Sequence, residues 1–141
     1  MKKYLLGTFM LLAAPFAAHA YDLNPIVGMS IGDKQAQENP QMQQVIAKAM
    51  AYLTPAQQAQ VKQFFPMGTS SSINAIHNVY YINACESGLC DVNNIVIAAT
   101  QDWHGQTENK VWVLLTLNGK TTIYGQPWET VLQTMKNPNE N

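Results

Sequence analysis

The apolar residues of this chain change their period at Ile73, and that change constrains the fold more than any other feature. Before it they recur every three or four residues, and after it they alternate or run together in short β-rich blocks. Val79, Tyr81 and Asn83 fall on one side of an extended segment while Tyr80, Ile82 and Ala84 fall on the other. That segment, read as one strand from Ile73, runs into Cys85. Residues 95–99 form a second β-rich run, and residues 111–117 a third. Asn118-Gly119 then gives a strong hairpin signal, with residues 121–124 returning. Residues 102–109, with Gly105 among them, read as a turn. Four consecutive strands joined by short turns predict an antiparallel meander.

Helical signals lie on both sides of the strands. Asn39 is placed to cap a helix with Pro40 in its first position. Met42, Val45, Ile46, Ala49, Met50 and Leu53 draw its apolar stripe, which reads as core packing. Thr54-Pro55-Ala56-Gln57 is a capping box that opens a second helix. Val61, Phe64 and Phe65 form its apolar face and Pro66 ends it. Pro127 opens a last helix that buries Trp128, Val131, Leu132 and Met135. Residues 21–38 carry Pro25, Gly28 and Gly32 with weak periodicity and read as an extended arm or loop. Residues 67–72 read as a polar connection, and residues 137–141 as a frayed tail. The expected fold class is α+β: an antiparallel β-sheet meander with two helices N-terminal and one helix C-terminal packing on it.

The N-terminus predicts export. Lys2 and Lys3 precede an almost unbroken apolar run over residues 4–16. Ala18-His19-Ala20 then supplies small residues at the two positions that signal peptidase reads. The run is too short for a bilayer span, which needs about 20 residues, so residues 1–20 read as a signal peptide rather than an anchor. No membrane attachment is expected after cleavage. Residues 21–141 then form one domain, located in the periplasm or secreted. Loss of Lys2 and Lys3 leaves six lysines against nine carboxylates, a net charge of −3 with no arginine anywhere in the chain. Nucleic-acid binding needs a basic surface to neutralise phosphates, so that class of partner is disfavoured.

In an exported chain, Cys85 and Cys90 are most simply a disulfide closing the ring Cys85-Glu86-Ser87-Gly88-Leu89-Cys90. So short a ring restrains the unfolded chain by only roughly 2 kcal/mol. Its larger effect is to hold Glu86, Ser87, Gly88 and Leu89 as a fixed bulge at a strand end. That suits either a loop presented to a partner or a clamped turn. The four-residue spacing argues against a thiol oxidoreductase. A zinc site would have to recruit His77 and His104, neither of which sits in ligand spacing. No cofactor is expected. No nucleophile elbow, phosphate loop or His-Glu-x-x-His occurs, and the serines of residues 69–72 read as linker. Glu86 and Asp91, flanking the ring, are the one carboxylate pair that a small hydrolase could use. The chain is read as a non-enzyme.

Tyr80-Tyr81-Ile82-Asn83-Ala84-Cys85, four residues, Cys90 and the apolar run at 95–99 resemble the inhibitor of vertebrate lysozyme (Ivy-type) family. Asn118-Gly119-Lys120-Thr121 and the step from Tyr124-Gly125 to Pro127 are similar to the C-terminal part of that family. The resemblance covers roughly residues 79–135; the capping box at Thr54 has no matched counterpart. It implies a periplasmic protein with an antiparallel sheet flanked by helices. It also implies a loop that enters a lysozyme cleft, where a histidine bonds the catalytic carboxylates. The family loop reads Cys-Lys-Pro-His-Asp-Cys. Its lysine, proline, histidine and aspartate fall on Glu86, Ser87, Gly88 and Leu89, so none of the four is kept. A carboxylate at Glu86 would be repelled by an acidic cleft, although backbone amides at Gly88 and Leu89 could donate to one, and Leu89 could fill an apolar subsite. The expectation is a binding protein that presents Glu86, Ser87, Gly88 and Leu89 to a protein partner, a lysozyme-type or other cell-wall hydrolase. The alternative is an envelope structural or assembly protein that keeps the fold without the inhibition. A homodimer is compatible with either.

Overall fold

The structure is a computed structural model that describes residues 20–66, 71–102 and 108–138. Residues 1–19 of the expected signal peptide, residues 67–70 of the polar connection, residues 103–107 of the expected 102–109 turn (His104 and Gly105 among them) and residues 139–141 of the expected tail therefore lie outside the described residues. The chain forms an α+β fold around a five-stranded antiparallel sheet in sequence order. Its strands are β1 (Ser71–Ile76), β2 (Val79–Cys85), β3 (Asn94–Thr100), β4 (Val111–Leu117) and β5 (Lys120–Tyr124). Each pairs with the next, giving a simple meander.

The sheet has one strand more than expected because the extended run from Ile73 folds back on itself at His77-Asn78. Both residues take positive φ, 47° and 64°, and Ile76 pairs directly with Val79. Two successive left-handed residues make the kind of two-residue turn whose twist matches that of the strands it joins. Asn tolerates that backbone better than most side chains, whereas His-Asn is a much weaker hairpin signal than Asn-Gly. At Asn118-Gly119 the same geometry recurs, with φ of 51° and 77°.

Alternation of side chains separates two apolar layers. Tyr80, Ile82, Ile95, Ile97, Val113 and Leu115 face one side, while Tyr81, Val96, Ala98, Trp112 and Leu114 face the other. β3 is covered on both faces, which is why residues 95–99 are uniformly apolar. The first face carries α1 (Lys34–Glu38), α2 (Pro40–Ala51) and α3 (Pro55–Lys62). Asn39 caps α2 by accepting from the backbone N–H of Gln41 (3.0 Å) and Met42 (3.1 Å). Met42, Val45, Ala49 and Met50 bury its apolar stripe. The capping box of α3 is complete: Thr54 Oγ1 accepts from Gln57 N–H at 3.2 Å, and Gln57 Oε1 accepts from Thr54 N–H at 2.9 Å.

The second face carries a single helix, α4 (Glu129–Lys136), which buries Val131 and Met135. It starts two residues later than Pro127 suggested. Trp128 stands at its N-cap, 40% exposed and set edge-on to Trp112 at 5.0 Å, so only part of that indole is core. Asn137 closes the helix by donating to Gln133 O and Thr134 O.

Residues 21–38 are more ordered than an extended arm. They contain a 3-10 turn (Asn24–Ile26) and α1, and they bury Tyr21, Leu23, Ile26, Ile31 and Ala36. These apolar residues follow no single period because they belong to short pieces of different geometry. Tyr21 bridges to Gln101, while Gly28 donates to Ile73 O (2.8 Å) and Ile73 donates to Met29 O (3.0 Å). The N-terminal segment thereby covers the outer edge of β1.

A candidate binding loop

β2 ends at Cys85 and β3 begins at Asn94, and these two residues pair across the ladder. The eight residues between them form the end of the sheet that carries the disulfide. Cys85 and Cys90 are bonded, with Cα atoms 4.9 Å apart. Inside the ring, Leu89 N–H donates to Glu86 O at 2.9 Å, closing a turn around Ser87-Gly88. Gly88 has a φ of +80°, and a Cβ added there would meet nothing within 4 Å. Its requirement for glycine is therefore a backbone one, since the space around it is open. A second turn follows at once: Val92 and Asn93 both donate to Leu89 O, at 3.0 and 2.8 Å.

Asn93 binds this double turn to the rest of the fold. Its backbone carbonyl accepts from Glu86 N–H at 3.1 Å, and its side-chain Nδ2 donates to Glu86 Oε2 at 2.7 Å. Its Oδ1 accepts from Asn118 N–H at 2.8 Å, while Gly119 N–H donates to Val92 O at 3.0 Å. The disulfide loop and the β4–β5 turn thus form one hydrogen-bonded unit. Neither Asn93 nor the link to Asn118 was visible in the sequence, where the two turns stand 25 positions apart. The only hint was an unusual concentration of asparagine after the ring, at Asn93 and Asn94.

The four expected contact residues do not play equal parts. Ser87 and Gly88 are exposed at the tip, and Leu89 is 46% exposed. Val92, whose N–H donates to Leu89 O, is also exposed, at 37%. Glu86 is half-buried with its carboxylate held by Asn93, so it faces the fold as much as any visitor. The Leu89 amide is already engaged by Glu86 O and is not free to donate to a ligand. At the tip, Gly88 N–H keeps that possibility. The loop is a preorganised knob with Ser87-Gly88 at its tip and Leu89 exposed next to it.

Beside the disulfide, on the α4 side of the sheet, lies an open trough of about 820 Å³. Its floor includes Asn83, Asn94, Thr116 and Thr121, with Asp91 and Lys136 also lining it. Thr116 Oγ1 and Thr121 Oγ1 are 2.9 Å apart, and Asn94 Nδ2 donates to Cys90 O at 2.8 Å. α4, only eight residues long, covers the Tyr81–Trp112 half of this face and leaves the loop end uncovered.

His77 sits in the turn at the opposite end of β2 from the disulfide. Among the described residues, no group of three or more His, Cys, Asp or Glu side chains is arranged to hold a metal ion. Nor is any helix among them long and apolar enough to cross a membrane. No protein-family model, curated protein or solved structure matches the chain.

Proposed function

We propose that this chain is an exported binding protein of Ivy-like architecture that presents the Cys85–Cys90 loop to a protein partner, a lysozyme-type or other cell-wall hydrolase. The observation that carries the reading is the fixation of the loop by the disulfide and by Asn93, with Leu89 left exposed next to the Ser87-Gly88 tip. A knob already held in one shape loses little conformational entropy on entering a cleft, so more of its contact energy appears as affinity. The loop chemistry differs from that of the family it resembles. Leu89, Val92 and the Gly88 amide offer an apolar anchor and a neutral donor, where the family loop offers a histidine. A partner suited to this loop has an apolar subsite at the base of its cleft. The reading of residues 1–20 as a leader, together with the disulfide, supports a location in the periplasm or outside the cell.

Hydrolysis of cell walls by c-type and g-type lysozymes, with and without the protein, tests the inhibitor form of this reading. Inhibition that disappears in a Leu89→Lys variant is the expected result. Full lysozyme activity across the panel at micromolar excess of the protein would sink it. A second reading is a structural or assembly role in the envelope, favoured by one specific feature: the position aligned with the family histidine is Gly88, which has no side chain. Under that reading Leu89→Lys changes no interaction of the protein.

A further inference from the structure

The β4–β5 turn is held by a segment that belongs to the disulfide loop. Leu117 and Lys120 close this two-residue turn. In such a turn the ladder uses the backbone groups of the closing pair and leaves the amides of the two central residues free. Here both amides are taken. Asn118 N–H donates to Asn93 Oδ1 at 2.8 Å, and Gly119 N–H donates to Val92 O at 3.0 Å. Asn118 is also the only asparagine of the chain that is followed by glycine. That pair is chemically reactive, because glycine puts no side chain in the way when its nitrogen turns on the asparagine carboxamide. Asn118 and Gly119 are exposed to water, and the Asn118 carboxamide has no hydrogen-bond partner among the described residues. The one reactant withheld is the nitrogen of Gly119, whose proton is engaged by Val92 O.

We propose that Asn118 is a modification site of this protein, converted to aspartate and isoaspartate when the loop at Val92-Asn93 releases the turn. In the released turn Gly119 N gives up its proton to a base in solution and attacks Cγ of Asn118. The new C–N bond closes a cyclic imide, and the carboxamide nitrogen of Asn118 leaves as ammonia. Water then opens the imide. Attack at one carbonyl restores the ordinary chain with aspartate, and attack at the other leaves isoaspartate. The sequence consumes water and releases ammonia, with no oxidant or other reactant. While the tie holds, the hydrogen bond to Val92 O keeps the proton on Gly119 N and fixes the direction of that nitrogen. Conversion therefore proceeds from the open turn, at a rate set by the fraction of molecules in which it is open. Val92 and Asn93 are themselves fixed, since both donate to Leu89 O in the loop that Cys85–Cys90 closes. The change runs one way. Isoaspartate adds a carbon to the main chain between Asn118 and Gly119, so the two amides no longer meet Asn93 and Val92 together. Either product adds a negative charge to the unit that already holds the Glu86 carboxylate.

Peptide mapping that separates asparagine, aspartate and isoaspartate at each position, during incubation in mildly alkaline buffer, tests this. Conversion at Asn118 is expected to be slower in the native protein than in the reduced, guanidinium-unfolded chain by a factor of about ten or more. Asn93→Ala removes one bond of the tie and is expected to raise the native rate about tenfold, the effect of one net hydrogen bond on an opening equilibrium. Asn93→Asp combined with Glu86→Gln keeps an acceptor for Asn118 N–H and is expected to stay at the wild-type rate. Asn83, followed by Ala84 inside β2, reports global unfolding and is expected to remain unconverted in every folded variant. Equal rates at Asn118 in the native and unfolded chains overturn the proposal. So does an Asn93→Ala rate equal to that of the wild type, or a rise at Asn118 matched by one at Asn83. None of these rates involves a partner, so failure here is distinct from failure of the binding-loop reading.

Discussion

The carboxamide of Asn93 donates to the carboxylate of Glu86 at 2.7 Å, and its oxygen accepts from Asn118 at 2.8 Å, so one side chain holds two turns together. Asn93→Ala is expected to cost about 1–2 kcal/mol, the ordinary range for bonds of this kind at a half-exposed site. Asn93→Asp separates the two bonds: it keeps an acceptor for Asn118 but sets a carboxylate against Glu86. Amide exchange is expected to show Asn118 unprotected in Asn93→Ala and protected in Asn93→Asp. Adding Glu86→Gln to Asn93→Asp is expected to restore its melting temperature. Equal exchange at Asn118 in both single variants would contradict this account.

Removing the disulfide by Cys85→Ala with Cys90→Ala is expected to lower stability by roughly 2 kcal/mol, the loop-closure value for so short a ring. The sheet is expected to survive, because the turn hydrogen bonds at Leu89 and Asn93 do not depend on the sulfurs. Urea unfolding of the double variant checks the magnitude. An unchanged far-ultraviolet circular dichroism spectrum checks the fold.

The His77-Asn78 turn is the weaker of two turns with similar backbone geometry. Replacing it with Asn-Gly, as at Asn118-Gly119, is expected to raise stability by about 0.5–1 kcal/mol, since both residues then accept positive φ more readily. Asn78→Val is expected to lower it by about 1–2 kcal/mol. Urea midpoints of the two variants should move in opposite directions.

Burial pushes the Tyr80 phenol above its ordinary value near 10, with the charge of Asp22 adding to the effect, and burial does the same to Tyr81 against a lowering hydrogen bond from Thr134. The folded state therefore holds these protons at a pH where the unfolded chain has begun to release them. The stability this provides is complete below about pH 10 and is lost as pH rises through the folded-state values. Melting temperature is expected to fall above about pH 10, less steeply in Tyr80→Phe and Tyr81→Phe. Identical slopes in the wild type and both variants would count against the assignment.

Much of the architecture was legible because its determinants are local. Asn39-Pro40 and the Thr54–Gln57 capping box start helices through bonds spanning three residues or fewer, and both starts stand where the sequence placed them. The alternation of Tyr80, Tyr81 and Ile82 between faces, the apolar block of β3 and the Asn118-Gly119 turn were equally readable. Residues 21–38 were not, because Tyr21, Leu23 and Ile26 are buried by contacts with distant strands rather than by a period of their own.

By itself, the sequence determined the α+β class, the meander and the short disulfide ring, all of which follow from residue period and spacing. Tertiary structure alone decided that His77-Asn78 breaks a strand in two and that the N-terminal segment shields β1. It also decided that Asn93 ties Glu86 to a turn contributed by other strands. These outcomes depend on hydrogen bonds between residues far apart in the chain, and no local pattern encodes which distant N–H a given carbonyl will meet.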